Sequence, residues 1–412
     1  MPNRLAISPR SAKYKAFRIL AWMERVFRRH RPTTPQQLAS IRNFLFLQYD
    51  APLGSAVHAT PLFEAIKTAL PEAHITVAAS RMAASVLQHN PFVDCCVVTP
   101  SPKKNFLGAL RAVRNLYRQL PAGAACIATT TGNQRPILAL LALLTGEATR
   151  MGYTLALPLY DVALDFRAHR PQIENNLDIL RALGREALAP EPRVFFSREE
   201  AVYATHLFSG LTSETPRIAV VTQCSDLQPK QWSEEHFRSV IAALHSTRSA
   251  IPIFLGTEEE SAAIEGLRQP LAERGISLAG KTPAIPQLAA VLAQCDFVLS
   301  LDTGIFHVAR AVGLPGVVIA PAWQNPAEWL PVDHSQYRIL RGDSIPMPTL
   351  DYWMEEIGVE PALQAMLALM DAFPSSEAAR YARLKRSLSN PAQMASAIAN
   401  EKRDFDAAHR QA

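Results

Sequence analysis

Apolar runs bounded by turn residues alternate along this chain with segments of helical period. This alternation is typical of βα units, which build parallel sheets covered by helices on both faces. The first predicted strands lie at 44–48, 75–79 and 95–98, and a second set lies at 218–222, 253–255, 297–301 and 316–320. Because a chain of 412 residues exceeds what one hydrophobic core usually organises, the sequence predicts an α/β fold with two doubly wound domains.

A proline-rich stretch at 188–193 interrupts the helical period and predicts the linker between the two domains. The predicted helices lie at 61–70, 82–89, 106–119, 136–144 and 173–183 in the first half, and at 234–245, 259–268, 285–293, 305–312 and 351–373 in the second. The expected organisation is a basic amphipathic arm (1–40), a first α/β domain (41–190), a second α/β domain (191–345), and C-terminal helices with a polar tail (346–412).

Positive charge is concentrated near the amino end of the chain. Residues 1–32 carry nine Lys and Arg and one Glu, a net charge of +8, so the other residues carry −3 of the total of +5. Trp22 and Phe27 lie among these charges, and the basic, bulky pattern of residues 10–31 suits an interfacial helix on anionic lipid. A solvated arm that packs Trp22 and Phe27 on the protein is an equal alternative. Nucleic-acid binding is disfavoured because the body of the chain is mildly acidic.

Cysteine spacing and apolar content narrow the class of protein further. The five cysteines show no C-x-x-C spacing, which favours reduced thiols in a cytosolic chain. No segment reaches the roughly eighteen uninterrupted apolar residues of a membrane-spanning helix, and the arm lacks the cleavage site of a signal peptide. We also find no well-placed D-x-D pair and no His/Cys cluster with metal-ligand spacing, so we expect neither a metal nor a cofactor.

The most informative stretch runs from residue 280 to residue 331. It predicts a helix, a buried strand that ends at Leu301, the turn Asp302-Thr303-Gly304, and a helix entered at Ile305 that carries His307. Free N–H groups and the positive end of a helix dipole then lie at the carboxyl edge of a parallel sheet, which suits a phosphate group. The alternative is that Asp302 only caps the helix and His307 only packs within it.

The same stretch resembles the heptosyltransferases of glycosyltransferase family nine. In that family a helix with the pattern L-A-A-hydrophobic-hydrophobic-A precedes D-[ST]-G-x-x-H and a later G-P-T-[DN]-P. Here the last motif is altered to Ala320-Pro321-Ala322 followed by Asn325-Pro326. The resemblance implies a GT-B fold, in which two Rossmann-like domains face each other across a cleft, and it assigns Asp302, Thr303, Gly304 and His307 to the sugar-nucleotide donor.

Other segments resemble the family in the same order along the chain. Lys230-Gln231-Trp232, with Glu235 and Phe237, resembles K-x-W-P-x-E-x-[FW], whose lysine is implicated in contacting donor phosphate. Gly256 and Glu258 resemble the segment near the donor's ribose, although Glu259 and Glu260 are equally reachable, and Thr282 completes the expected donor set. In the first domain, residues 150–153 resemble R-x-G-[FY], and residues 169–184 resemble a histidine-led leucine pattern, so the resemblance covers about residues 41–370.

The end of the first strand departs from the family pattern. The family usually carries an aspartate there, assigned as the general base for the acceptor hydroxyl, within L-G-D. This chain reads Leu53-Gly54-Ser55, and a serine has no useful basicity at neutral pH. We expect Gly54 and Ser55 to form the acceptor-side loop. Asp50, with His58 behind it, is the candidate replacement base, and the alternative is that Asp50 only caps a turn and no base remains.

The resemblance implies an inverting, metal-independent transfer of heptose from ADP-heptose to a lipopolysaccharide-core or other cell-surface glycan. It also implies a cytoplasmic chain, peripheral on the inner face of a bacterial inner membrane, with helices after residue 350 that return to brace the first domain. Two other classes stay open. A nucleotide-sugar epimerase would use the nucleotide without an acceptor, and a non-catalytic sugar-nucleotide-binding protein would bind without turnover.

Overall fold

A computed structural model describes residues 33–49, 51–153, 159–187, 190–223, 228–271 and 275–389, together with Ile19 and Trp22. The chain divides into two units. The first unit comprises Met1–Pro192 with Ala327–Trp329, and the second comprises Arg193–Pro326 with Leu330–Ala412. Of residues 1–32 only Ile19 and Trp22 are described, and both side chains are exposed. The remainder of residues 10–31 lies outside the described residues, so the interpretations of the arm stay predictions.

The first unit is built on six strands that pair in parallel in the order β3-β2-β1-β4-β5-β6. The central strand β1 is buried along its whole length, as expected for a strand covered by helices on both faces. The strands are β1 (Asn43–Gln48), β2 (His74–Ala79), β3 (Cys95–Val98), β4 (Ala125–Ala128), β5 (Thr149–Tyr153) and β6 (Val162–Leu164).

Several helices of the first unit begin at residues that deal with the free N–H groups of a first turn. Short polar side chains accept hydrogen bonds from these groups, and a proline in the first turn has no N–H group to satisfy. Ser80 and Asn105 accept hydrogen bonds from N–H groups three residues on, and Pro61 and Pro136 lie in first turns. The helices are α1 (Pro35–Ala39), α2 (Leu53–Val57), α3 (Thr60–Ala69), α4 (Arg81–Leu87), α5 (Phe106–Gln119), α6 (Pro136–Thr145), α7 (Gln172–Asn176) and α8 (Asp178–Ala182). The single helix predicted at 173–183 is therefore two short helices.

The second unit repeats the same parallel topology, in the order β12-β11-β10-β7-β8-β9. Strands β7 and β10 pair at its centre and are fully buried. The strands are β7 (Arg217–Val221), β8 (Ile251–Phe254), β9 (Ile276–Ser277), β10 (Phe297–Leu301), β11 (Gly316–Ile319) and β12 (Tyr337–Leu340). Two doubly wound parallel sheets confirm the predicted fold class.

The helices after residue 192 are α9 (Arg198–Leu207), α10 (Glu234–Arg248), α11 (Ser261–Arg268), α12 (Ile285–Ala293), α13 (Gly304–Ala311), α14 (Pro326–Trp329), α15 (Val359–Ala372) and α16 (Glu377–Ser387). Residues Ala327–Trp329 of α14 belong to the first unit. Helices α10, α11 and α15 pack on the second sheet through apolar faces. The helix predicted at 351–373 begins only after Gly358. The preceding residues instead pair with the chain at Gln231, because the Met354 N–H donates to its carbonyl.

The last two helices pack within the second unit. Helix α15 contacts α10, β11 and β12, and α16 contacts α12. Arg380 of α16 donates to both carboxylate oxygens of Asp296, at 2.9 and 2.7 Å, and to the carbonyls of Ser213 and Thr215. This buried ion pair ties α16 to the amino edge of the sheet, where Asp296 precedes β10. Bracing of the first domain by these helices stays a prediction.

No helix among the described residues is both long enough and apolar enough to cross a membrane.

Candidate functional site

The centre of each sheet is a topological switch point. In the second unit, β7 and β10 are neighbours, and the chain leaves them towards opposite edges of the sheet, to β8 and to β11. Helices that follow such strands leave a crevice at the carboxyl ends, where open α/β sheets bind their ligands. The residues that follow β7 and β10 are therefore the first candidates for a ligand site.

Asp302, Thr303 and Gly304 follow β10 and begin helix α13. Thr303 is the N-cap residue, with an extended backbone and no hydrogen bond from its side chain to the helix. Its hydroxyl oxygen is buried and has no hydrogen-bond partner among the described residues. A buried hydroxyl without a partner is costly, and the first N–H groups of a helix lack intrahelical acceptors. The start of α13 therefore offers hydrogen-bond donors for an oxygen-rich ligand.

Lys230 reaches this turn from the segment after β7. Its ammonium group donates to Oδ2 of Asp302 at 2.9 Å and to the Asp302 carbonyl oxygen at 3.3 Å. Only 7 % of Lys230 and 5 % of Asp302 are exposed, so water screens this pair weakly. An ammonium group has three N–H donors, and Asp302 engages two of them. The resemblance assigns Lys230 and Asp302 to one donor site, and the structure brings the two side chains into contact within a single unit.

The anchor of Lys230 is the tryptophan two residues on. The indole N–H of Trp232 donates to the Ile357 carbonyl at 2.7 Å, and the ring packs edge-on against Phe237 in the hydrophobic core. Trp232 is buried and held in the core. Because Lys230 is two residues before it, the fixed tryptophan also restricts where the lysine backbone lies.

His307 lies one turn into α13, with Nε2 3.6 Å from Oδ1 of Asp302. Burial alone would raise the pKa of Asp302, but Lys230 and His307 outweigh burial and hold it well below its usual range. Burial lowers the pKa of His307, and Arg310 and Lys230 lower it further, so the net shift is downward although Asp302 raises the pKa. The site therefore holds an ionised Asp302 and a neutral His307 at neutral pH.

These shifts predict a pH-dependent stability. The folded pKa of His307 lies below its unfolded value of about 6.5, so the stability it contributes is present above about pH 6.5 and lost as the pH falls further. The stability from Asp302 is present above about pH 4 and is lost at lower pH. We expect His307→Gln to lose less free energy of unfolding than wild type between about pH 7 and pH 5, measured by urea titration. His206→Gln, a change at an exposed histidine, is the control and should lose as much free energy of unfolding as wild type over this range. An equal loss in His307→Gln and wild type would contradict the prediction.

Trp323 is a site residue that the sequence reasoning did not single out. Its indole N–H donates to the Pro229 carbonyl at 2.9 Å, and its ring centroid lies 5.8 Å from the Lys230 ammonium. Trp323 and Gln324 are the two extra residues of the altered motif, between Ala322 and Asn325. That extra length was the available signal, because an insertion after β11 reaches the same sheet edge as Asp302.

The three acidic residues after β8 have different surroundings. Oε2 of Glu260 accepts from the Thr257 N–H at 2.7 Å. The pKa of Glu259 is lowered by a hydrogen bond to its own backbone and then by one to the Thr257 side chain. Glu258 lies instead against Gly280, where a Cβ atom would collide with its Oε2. Gly280 has φ of 70°, which also favours glycine, so this turn admits the Glu258 carboxylate. These surroundings favour Glu258 over Glu259 and Glu260 as the residue near the donor's ribose, and this role stays a prediction.

The other two residues of the predicted donor set, Gly256 and Thr282, flank this turn. Gly256 follows β8 and is close-packed, since a Cβ there would lie 2.7 Å from Oε2 of Glu260. Thr282 is half-buried two residues after Gly280. Strands β8, β7 and β10 are consecutive in the sheet, so both predicted groups lie along one carboxyl edge.

The acceptor-side residues of the first unit lie at the carboxyl end of β1. Asp50, the candidate base, lies outside the described residues. Gly54 and Ser55 are buried in α2, and a Cβ at Gly132 would lie 2.7 Å from the Ser55 Cβ. His58 is buried at the end of α2, where its carbonyl accepts from Asn176 and its ring lies 5.4 Å from Trp329 of the same unit. Ser55 thus packs in the interior.

A buried amide network joins this edge of the first sheet. Asn133 accepts from the Tyr49 N–H at 2.8 Å and donates to Gln48 at 3.0 Å, and Gln48 donates to Thr130 at 2.9 Å. Asn176 accepts from the Thr131 N–H at 2.9 Å. The network fixes the backbone just before Asp50, and the sequence reasoning did not identify it.

Arg150 of the R-x-G-[FY] segment has a structural partner. Its guanidinium donates to both oxygens of Asp161, at 3.0 and 2.6 Å, and this buried fork joins the starts of β5 and β6. Gly152 is close-packed because a Cβ there would lie 2.7 Å from the Tyr160 ring.

Among the described residues, no group of three or more His, Cys, Asp and Glu side chains could hold a metal ion.

Comparison with known proteins decides the family. The model of glycosyltransferase family 9 (heptosyltransferase) matches residues 137–354, which is more than half of the chain. The chain belongs to glycosyltransferase family 9. It is therefore a glycosyltransferase, and the matched range of this family 9 chain includes all of the predicted donor residues, from Lys230 to His307.

Named relatives of this family 9 chain are heptosyltransferases. It is 22% identical over 350 residues to lipopolysaccharide heptosyltransferase 3 from Escherichia coli, which covers 78% of this chain and 97% of the relative. It is 28% identical over 116 residues to lipopolysaccharide heptosyltransferase 1 from E. coli K12, which covers 28% of this chain and 35% of the relative.

Solved structures show the same fold as this family 9 chain. A family 9 glycosyltransferase from Veillonella parvula matches with a TM-score of 0.71 and 18% identity, over 81% of this chain and 99% of that one. E. coli ADP-heptose lipopolysaccharide heptosyltransferase II matches with a TM-score of 0.64 and 19% identity, over 80% and 99%. The E. coli heptosyltransferase WaaC, solved with ADP, matches with a TM-score of 0.60 and 17% identity, over 79% and 99%. These likenesses confirm the predicted GT-B fold.

Proposed function

We propose that this chain transfers heptose from ADP-heptose to the sugar core of a lipopolysaccharide, with inversion and without a metal ion. The names of the relatives support heptose and lipopolysaccharide, and the ADP in one structural neighbour supports the nucleotide. We propose further that the reaction takes place at the cytoplasmic face of a bacterial inner membrane, as the family resemblance implies.

The arrangement of Lys230, Asp302 and Thr303 carries this proposal. The Asp302 carboxylate holds the buried ammonium group of Lys230 beside the amino end of α13, where the Thr303 hydroxyl has no described partner. A diphosphate at this position would accept from the third N–H of Lys230, from the Thr303 hydroxyl and from the first amides of the helix. Asp302 fixes the cation before the ligand arrives, so little ordering remains to be done on binding.

The chemical step is a single displacement at the anomeric carbon. The acceptor oxygen forms a bond to that carbon, the bond to the ADP oxygen breaks, and the acceptor proton passes to a base. Negative charge grows on the departing diphosphate, where Lys230 and the α13 amides would stabilise it electrostatically. Attack opposite the leaving group inverts the anomeric configuration.

Asp50 is the proposed base, with His58 behind it. Ser55 cannot take the role, because it lacks basicity and packs against Gly132. The same observation favours one alternative function, a binding protein that holds the sugar nucleotide without turnover.

Incubation with ADP-heptose and a heptose-deficient lipopolysaccharide core tests the proposal. We expect acceptor-dependent ADP release in the presence of a chelator, and a product of inverted anomeric configuration by NMR. Asp50→Asn should abolish release, while Asp165→Asn, a matched change at an exposed carboxylate of the first unit, should not. Nucleotide binding without release from the wild type would instead support the non-catalytic alternative.

A further inference from the structure

Helix α5 carries a basic outer face. Leu107, Arg111, Arg114 and Arg118 repeat at intervals of four, three and four residues, which places them on one side of the helix. All four are exposed, and they span about 16 Å at about 1.5 Å per residue. Lys103 and Lys104 extend this positive surface before the helix begins, so the face holds five cations.

Acidic residues are scarce beside this face. Residues 95–120 contain no Asp or Glu, although the chain after residue 32 carries a net charge of −3. Glu147 lies near the carboxyl end of α5, where its charge adds to burial in raising the pKa of Tyr117. Arg114 donates to the Leu144 carbonyl at 2.9 Å. Because a carbonyl group is neutral, this bond does not offset the positive charge of Arg114. We call the five cations Lys103, Lys104, Arg111, Arg114 and Arg118 the basic face.

Three large apolar side chains are exposed at the amino end of the same helix. Val98 ends β3 and is 53 % exposed, Met82 follows the end of β2 and is 37 % exposed, and Leu107 is 64 % exposed. They share a corner of the unit, because Val98 pairs in register with Ala79, the last residue of β2, and α5 starts shortly after Val98. We call Met82, Val98 and Leu107 the apolar corner.

We infer that the basic face and the apolar corner form a docking surface for an anionic phospholipid bilayer. Clustered cations bind an anionic membrane surface, and exposed apolar side chains insert at the boundary between headgroups and acyl chains. Cations alone would suit any polyanion, but the apolar corner has no role in binding a fully solvated one. The basic face and the apolar corner together therefore favour a lipid bilayer over other polyanions.

The orientation of such docking follows from the topology. The apolar corner lies at the carboxyl ends of β2 and β3, and α2 with Gly54 and Ser55 follows the carboxyl end of the neighbouring strand β1. The bilayer would therefore meet the edge of the first sheet that carries the predicted acceptor side. The inference itself does not depend on the proposed function.

Sedimentation of the full chain with lipid vesicles tests the inference. The test variant is Lys104→Glu/Arg111→Glu/Arg118→Glu, at three exposed positions. The control is Arg198→Glu/Lys281→Glu/Lys385→Glu, which makes the same charge change at exposed positions of the second unit. On phosphatidylglycerol vesicles we expect the test variant to partition roughly tenfold or more weakly than both wild type and control. Phosphatidylcholine vesicles should bind none of them strongly.

Other outcomes would overturn the inference. Equal partitioning of wild type and test variant would assign membrane binding elsewhere, as would equal weakening in test and control variants.

Leu107→Ala should weaken vesicle binding but leave binding to double-stranded DNA unchanged. Loss of DNA binding in the test variant without loss of vesicle binding would replace the lipid with a nucleic acid. Unchanged circular dichroism and thermal midpoint would show that each variant folds.

Discussion

Replacing Lys230 with alanine should lower kcat/KM for sugar transfer by on the order of a hundredfold. The Lys230 ammonium group is the cation held at the start of α13, 2.9 Å from the Asp302 carboxylate. Without it the site keeps the negative charge of Asp302, which then repels a diphosphate in both the bound state and the transition state. Steady-state kinetics with ADP release as the readout would measure the change.

A fall in kcat/KM that comes from unfolding must be separated from one that comes from the lost contact with the donor. Lys230→Ala leaves Asp302 buried without its cation, which destabilises the fold by about 3–5 kcal/mol in comparable cases. Lys230→Met/Asp302→Leu removes both charges, so it should recover stability but not transfer. Lys281→Ala, at an exposed lysine of the same unit, should retain wild-type kinetics. Wild-type kcat/KM in Lys230→Ala would exclude the proposed phosphate contact.

Arg380→Ala should lower the free energy of unfolding by about 3–5 kcal/mol. Arg380 is 5 % exposed, and its guanidinium donates to both oxygens of Asp296 and to two backbone carbonyls. Alanine would leave the buried Asp296 carboxylate and the carbonyls of Ser213 and Thr215 with fewer donors, and it would release α16 from the amino edge of the sheet. Urea titration of the full chain would measure the loss.

Lys385→Ala provides the control for this second change. Lys385 is exposed on the same helix, so its replacement should change the stability by no more than about 0.5 kcal/mol. Arg380→Met/Asp296→Asn should recover part of the loss, because an amide oxygen can still accept the Arg217 N–H that Asp296 accepts at 2.9 Å. Similar stabilities for Arg380→Ala and Lys385→Ala would contradict the structural account of the ion pair.

The sequence predicted β1, β7, β10 and the turn after β10 because these signals are local. Strand β10 is an uninterrupted apolar run, and the turn and helix that follow it have their own residue preferences. Strands β4, β5 and β12 were not predicted, nor were the short edge strands β6 and β9, which have three and two residues. Such strands owe their conformation to pairing with β5 and β8 rather than to their own composition.

Helix α16 and the start of α15 show a second limit. The residues of α16 have mixed charge and suggested a polar tail, yet Arg380 pairs with Asp296, which is 84 positions away. Residues 351–358 carry apolar side chains at helical spacing, but Trp353 pairs with the backbone at Gln231 instead. In both cases a contact distant in sequence decides the local structure.

The amide network of the first unit shows the same limit for the site. Gln48 and Thr130 are 82 positions apart, and Tyr49 and Asn133 are 84 positions apart. Buried amides need partners, but the sequence does not say which partners they find. The ion pair between Lys230 and Asp302, 72 positions apart, was not predicted either, although the family resemblance assigned both residues to one ligand.

Calorimetric titration of ADP into the full chain tests the central claim most directly, because it needs neither the sugar nor the acceptor. The claim is that the turn after β10, with Lys230, binds the diphosphate of a nucleotide. We expect ADP to bind the wild type and Lys281→Ala with equal affinity, and Lys230→Met/Asp302→Leu at least about tenfold more weakly. No binding of ADP to the wild type, or equal affinity in all three proteins, would contradict the claim.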